Sequence, residues 1–105
     1  MPFREIAPHE LRHLLDRGEV TLIDVREPWE AEVCSIAGGT LLPMGSLPRR
    51  LQDIPPERPV ALYCHHGVRS LMAAQFLAGY GFDALSLAGG IERWAADVEP
   101  GMARY

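Results

Sequence analysis

The chain has 105 residues, of which 48% are hydrophobic, a formal net charge of −4 and a pI of about 5.5. That length fits one compact domain over residues 1–105, apolar enough to fold without metals or disulfides. The acidic balance, without a basic stripe, excludes a nucleic-acid binder, and no apolar stretch approaches the ~20 residues of a membrane helix.

The N-terminus, Met-Pro-Phe-Arg-Glu, lacks the apolar core of a signal peptide. Two cysteines, Cys34 and Cys64, are too few for a disulfide framework. We therefore expect a soluble, cytoplasmic protein that keeps both as thiols. Leucines at helical spacing and a stop at Gly18 predict a first helix over 8–15. The β-branched, apolar run 20–25 reads as a buried parallel strand. Pro28 can open a short helix through Val33. Gly38-Gly39 turns into a short strand at 40–43, and 47–54 is a candidate helix closed by Pro55-Pro56. A second buried strand, 59–63, runs straight into Cys64. Leu71, Ala74, Leu77 and Ala78 share one face of a helix that ends at Gly79 or Gly81. Residues 84–87 form another strand, and Gly89-Gly90 turns into a final helix around Ile91, Trp94 and Ala95. Strands alternating with helices predict an α/β fold with a central parallel sheet covered on both faces. In such sheets sites form outside the carboxyl ends of strands, where Cys64 falls.

The segment Cys64-His65-His66-Gly67-Val68-Arg69-Ser70 is where the chemistry is expected. Gly67 lets the backbone bend so that successive N–H groups, Val68 included, point inward as an anion nest. The next helix aims its positive end at the same point, which favours thiolate, the reactive form. Arg69 is a permanent cation suited to a substrate oxyanion. Ser70 can cap the helix or donate to the anion, and His65 and His66 add donors. The bland alternative is a buried structural cysteine. A metal site on Cys64, His65 and His66 has poor geometry and no second ligand cluster, so neither a metal nor another cofactor is expected.

Four stretches resemble the signatures of a single-domain rhodanese, in the sulfurtransferase superfamily. They are 22–28 (Leu-Ile-Asp-Val-Arg-Glu-Pro), 36–43 (Ile-Ala-Gly-Gly-Thr-Leu-Leu-Pro), 63–70 (Tyr-Cys-His-His-Gly-Val-Arg-Ser) and 87–94 (Leu-Ala-Gly-Gly-Ile-Glu-Arg-Trp). They occur in the family's order and span nearly the whole chain. The resemblance implies about five parallel strands and a persulfide mechanism. Cys64 would take sulfane sulfur from thiosulfate or a persulfide donor. It would pass that sulfur to cyanide in an assay, or to a thiol or protein cysteine in cells. Nucleic acid and membrane are not expected partners. Sulfur-transferring members have a shorter loop than the related phosphatases; here four residues separate Cys64 from Arg69, which favours sulfur over phosphate. Two alternatives remain: a non-catalytic sulfur-carrier or regulatory module, and a small phosphatase or arsenate reductase.

The resemblance also implies that Asp24 and Arg26 support the loop; the bland readings are a strand-end turn residue and a solvated arginine. Cys34-Ser35 replaces the family's usual glycine-histidine, and Cys34 reads as a buried small residue rather than a relay thiol. His9 and His13 read as a solvated helix face. Trp29 and Trp94 read as core or helix-packing residues.

Overall fold

The computed structural model describes residues 2–105; Met1, the first residue of the expected domain, lies outside the described residues. The strands are β1 (Phe3–Ile6), β2 (Thr21–Asp24), β3 (Thr40–Leu41), β4 (Val60–Tyr63) and β5 (Ala84–Leu87). The helices are α1 (Pro8–Asp16), α2 (Pro28–Val33), α3 (Val68–Ala78) and α4 (Gly90–Asp97). The strands form one sheet in the order β1-β5-β4-β2-β3, and every pairing is parallel.

Alternation along the strands divides the core in two. Ala61, Tyr63, Leu85 and Leu87 point to one face, where Leu11 of α1 and Ile91 and Trp94 of α4 cover them. Val60, Leu62, Ile23 and Ala84 point to the other, against Ala73, Ala74 and Leu77 of α3. These positions are apolar throughout because a parallel strand with helices on both faces meets no water. The register sets Asp24 beside Tyr63, so the carboxyl ends of β2 and β4 lie together. Cys64 follows at the end of β4.

Two elements differ from expectation. The candidate helix over 47–54 is a pair of 3₁₀ segments, Met44–Arg49 and Leu51–Asp53. Pro48 lies inside the first and has no N–H to continue an α-helical ladder. β1 has no counterpart in the periodicity. It is an edge strand in which Phe3, Arg4 and Glu5 are exposed and only Ile6 is buried.

Candidate active site

The backbone after β4 folds around the Cys64 sulfur. Gly67 sits at φ +103°, a left-handed conformation that side chains resist, and opens α3. The turn aims two backbone donors at one atom. The Gly67 N–H donates to Cys64 Sγ at 3.1 Å and the Ser70 N–H at 3.4 Å. The Cys64 thiol donates to Ser70 Oγ at 3.5 Å, and Ser70 Oγ lies 2.8 Å from Ser86 Oγ of β5. Cys64 is 1% exposed and both serines are fully buried, so these groups meet the sulfur without competing water. A charge on this sulfur faces fixed dipoles.

α4 holds the opposite side of this backbone. Its first turn donates Ile91 N–H to the Cys64 carbonyl at 2.9 Å and Glu92 N–H to the His65 carbonyl at 3.1 Å. The approach is close: a Cβ on Gly90 would overlap the His65 carbonyl and lie 2.7 Å from the Cys64 carbonyl oxygen. Gly90 is also at φ +63°, so position 90 needs glycine for conformation and for space. With both carbonyls drawn toward α4, the Gly67 and Ser70 N–H groups are left facing the sulfur.

Arg69 is not a free cation. Its guanidinium donates from both terminal nitrogens to Glu30 of α2, at 2.7 and 2.8 Å. The Glu30 side chain is only 5% exposed. It also accepts the Glu27 N–H at 3.1 Å and the Tyr105 hydroxyl at 2.7 Å. Arg69, with Tyr105 and Glu27 adding to it, overcomes burial and holds the Glu30 carboxyl down at about 2. Tyr105 itself is pushed up to about 12, chiefly by burial, and so stays a donor.

Asp24 and Arg26 reach the loop indirectly. Arg26 is fully buried and donates to Asp24 from its main-chain N–H and, at 2.9 and 2.7 Å, from its guanidinium. The rest of the guanidinium donates to the Glu30 and Cys34 carbonyls at the end of α2 and to the Tyr105 hydroxyl. A cation on the last carbonyls of a helix is favourable. Burial works against the Arg26 charge, but Asp24 and Tyr105 outweigh it and raise its pKa. The pair thus fixes α2, α2 carries Glu30, and Glu30 holds Arg69.

His65 stacks between His66 and Tyr105, with ring centroids 3.9 Å from each. Burial, then the neighbouring His66, lowers its pKa, so it is neutral at pH 7. His66 and Val68 are exposed at the rim. His9 and His13 are exposed on α1, far in sequence from this cluster. Cys34 is half-buried, with its sulfur 4.0 Å from Arg26. Trp94 is fully buried, but Trp29 is 59% exposed, contrary to expectation. The inward position of short α2 belongs to its neighbour Glu30, and Trp29 meets the Tyr105 ring edge-on at 5.6 Å.

Sequence reasoning assigned no role to Glu30, Tyr105 or Ser86. Ser86 had a visible signal, a hydroxyl among the apolar residues of β5. Glu30 and Tyr105 are 75 positions apart, and only the fold joins them.

The rhodanese-like domain family matches residues 7–97. The chain is 41% identical over 104 residues to the probable adenylyltransferase/sulfurtransferase MoeZ of Mycobacterium tuberculosis, covering 95% of this chain and 26% of that protein. It spans about a quarter of that relative's length. It is 34% identical to the thiosulfate sulfurtransferase GlpE of Coxiella burnetii, covering 91% of each. Among solved structures, a rhodanese-related protein from Thermoplasma volcanium superposes with a TM-score of 0.85 at 31% identity, covering 92% of this chain and 95% of that one.

Proposed function

Because this chain belongs to the rhodanese-like domain family, we propose that it is a sulfurtransferase with Cys64 as the sulfur carrier. The observation that carries this reading is the convergence of the Gly67 and Ser70 N–H groups and the Ser70 hydroxyl on one sulfur atom.

The Cys64 thiolate attacks the sulfane sulfur of a donor. One S–S bond forms at Cys64 as the donor's bond to that sulfur breaks; thiosulfate releases sulfite, and a persulfide R–S–SH releases R–SH. An acceptor nucleophile then attacks the outer sulfur of the Cys64 persulfide, which returns Cys64 as thiolate. This covalent route divides one transfer into two. The inward N–H groups stabilise the anionic sulfur at each stage, an oxyanion-hole role. Cyanide is the assay acceptor; a small thiol or a protein cysteine is the cellular one. The relatives named as sulfurtransferases support this reaction class. We place the protein in a reducing cytoplasm, where Cys34 and Cys64, both free here, stay thiols.

One observation favours a second reading, a non-catalytic sulfur-carrier or regulatory module: Cys64 is 1% exposed. Turnover separates the two. The enzyme converts cyanide to thiocyanate with a sulfane donor, and Cys64→Ser does not. Absence of turnover with both thiosulfate and a persulfide donor would leave the module. Hydrolysis of an aryl phosphate would instead favour the phosphatase, which the short Cys64–Arg69 spacing disfavours.

A further inference from the structure

Among the described residues, three arginines around this site, two partly exposed and one buried, are each matched by a carboxylate. Arg69 pairs with Glu30, Arg26 with Asp24, and Arg104 with Glu92 at 2.7 Å. His65, the ring stacked under Tyr105, is neutral at pH 7, and His66 beside it is exposed to water. The Arg69–Glu30 pair is unlike a loose surface ion pair. Its carboxylate is buried, both carboxylate oxygens take guanidinium donors, and Glu27 and Tyr105 supply further donors. The cation that a doubly charged donor would need is therefore already engaged.

We infer that Glu30 determines donor specificity: by neutralising Arg69 beside the Cys64 loop, it turns the site from dianionic sulfane donors toward persulfides of low charge. This rests on the sulfur-transfer reading above. Thiosulfate brings two negative charges and leaves as a sulfite dianion, so its binding and departure both call for uncompensated positive charge. A persulfide R–S–SH needs only the inward N–H groups at its reacting sulfur, and its leaving group departs as R–SH. Glu30 acts through Arg69, and so is a positioning residue rather than a catalytic one.

The test is steady-state kinetics of wild type and Glu30→Gln with thiosulfate and with an alkyl persulfide that carries no charged group besides its own S–SH, cyanide being the acceptor. The amide keeps the shape of Glu30 but faces Arg69 with a neutral group and frees a guanidinium edge. The kcat/KM ratio of thiosulfate to persulfide should rise about tenfold in the variant, mainly through a lower KM for thiosulfate, as ~1.4 kcal/mol of added attraction gives. A purely structural role would instead depress both donors together, and an unchanged ratio overturns the inference. Should Glu30→Gln not fold, wild type alone decides: an alkanethiosulfonate monoanion should have a lower KM than thiosulfate, and an equal or higher KM overturns the inference. Mass analysis of wild type with each donor separates the two failures. Without a Cys64 persulfide from either, sulfur transfer and this inference fall together; with one, an unmoved ratio removes only the role of Glu30.

Discussion

The Ile91 N–H donates to the Cys64 carbonyl at 2.9 Å, so the first turn of α4 carries the backbone on which the sulfur site is built. Gly90, immediately before it, lies against the same carbonyl. Adding a methyl group there forces the two segments apart. Gly90→Ala should cost about 2–4 kcal/mol, combining a strained positive φ with overlap against backbone. The loss of transfer activity should exceed the loss expected from unfolding alone, because the loop's N–H groups lose their aim. Urea denaturation paired with the thiocyanate assay on the folded fraction checks both parts.

Ser86 supports the sulfur at one remove, through Ser70. Ser86→Ala deletes a buried hydrogen bond and leaves the Ser70 hydroxyl to the Gly67 carbonyl and Cys64. A stability loss of about 1 kcal/mol is expected. The rate should fall severalfold, and Ser70→Ala, which removes the hydroxyl nearest the sulfur, should fall further. Rates of the two variants with one persulfide donor give the order.

Acid should release the Glu30 clamp. The Glu30 carboxyl lies at about 2 in the folded chain, against 4.5 ordinarily, because Arg69, with Tyr105 and Glu27, outweighs the effect of burial. A depressed carboxyl contributes stability that is complete above the ordinary value and lost as pH falls from 4.5 through about 2. At pH 7 Glu30→Gln should be less stable than wild type by about 2 kcal/mol, a figure discounted for the partly exposed arginine. The difference should close as pH approaches 2. Denaturation midpoints across that range read it directly.

Cys34 should be nearly silent. Its sulfur is half-buried and only brushes Arg26, while the contact that matters, its carbonyl accepting from Arg26 at 2.7 Å, belongs to the backbone. Cys34→Ser should keep kcat/KM within about twofold of wild type. A large loss would give Cys34 a part in sulfur relay.

Much of this was legible because local rules and the fold agree. The apolar run into Cys64, the glycine at 67 that takes a positive φ, and the buried Trp94 follow from strand, turn and helix patterns read in sequence. What escaped depends on distance or on context. β1 buries only Ile6, so its pattern carries no alternation. Pro48 converts an expected helix into 3₁₀ segments. Glu30 reads as an ordinary charged helix residue until Arg69, 39 positions later, is brought against it. Asp24 and Arg26 read as loop supports, and what the sequence hides is the route: Asp24 holds Arg26, and Arg26 holds the end of α2 and Tyr105. Gly90 reads as a turn, whereas its main constraint is the neighbouring Cys64–His65 backbone.

The most direct test of Cys64 as the sulfur carrier is intact mass of the reduced protein after incubation with thiosulfate, and separately with a persulfide donor, beside Cys64→Ser. The expected result is a gain of one sulfur, about 32 Da, reversed by cyanide and present only where Cys64 is. No gain from either donor, or an equal gain in Cys64→Ser, would contradict a Cys64 persulfide.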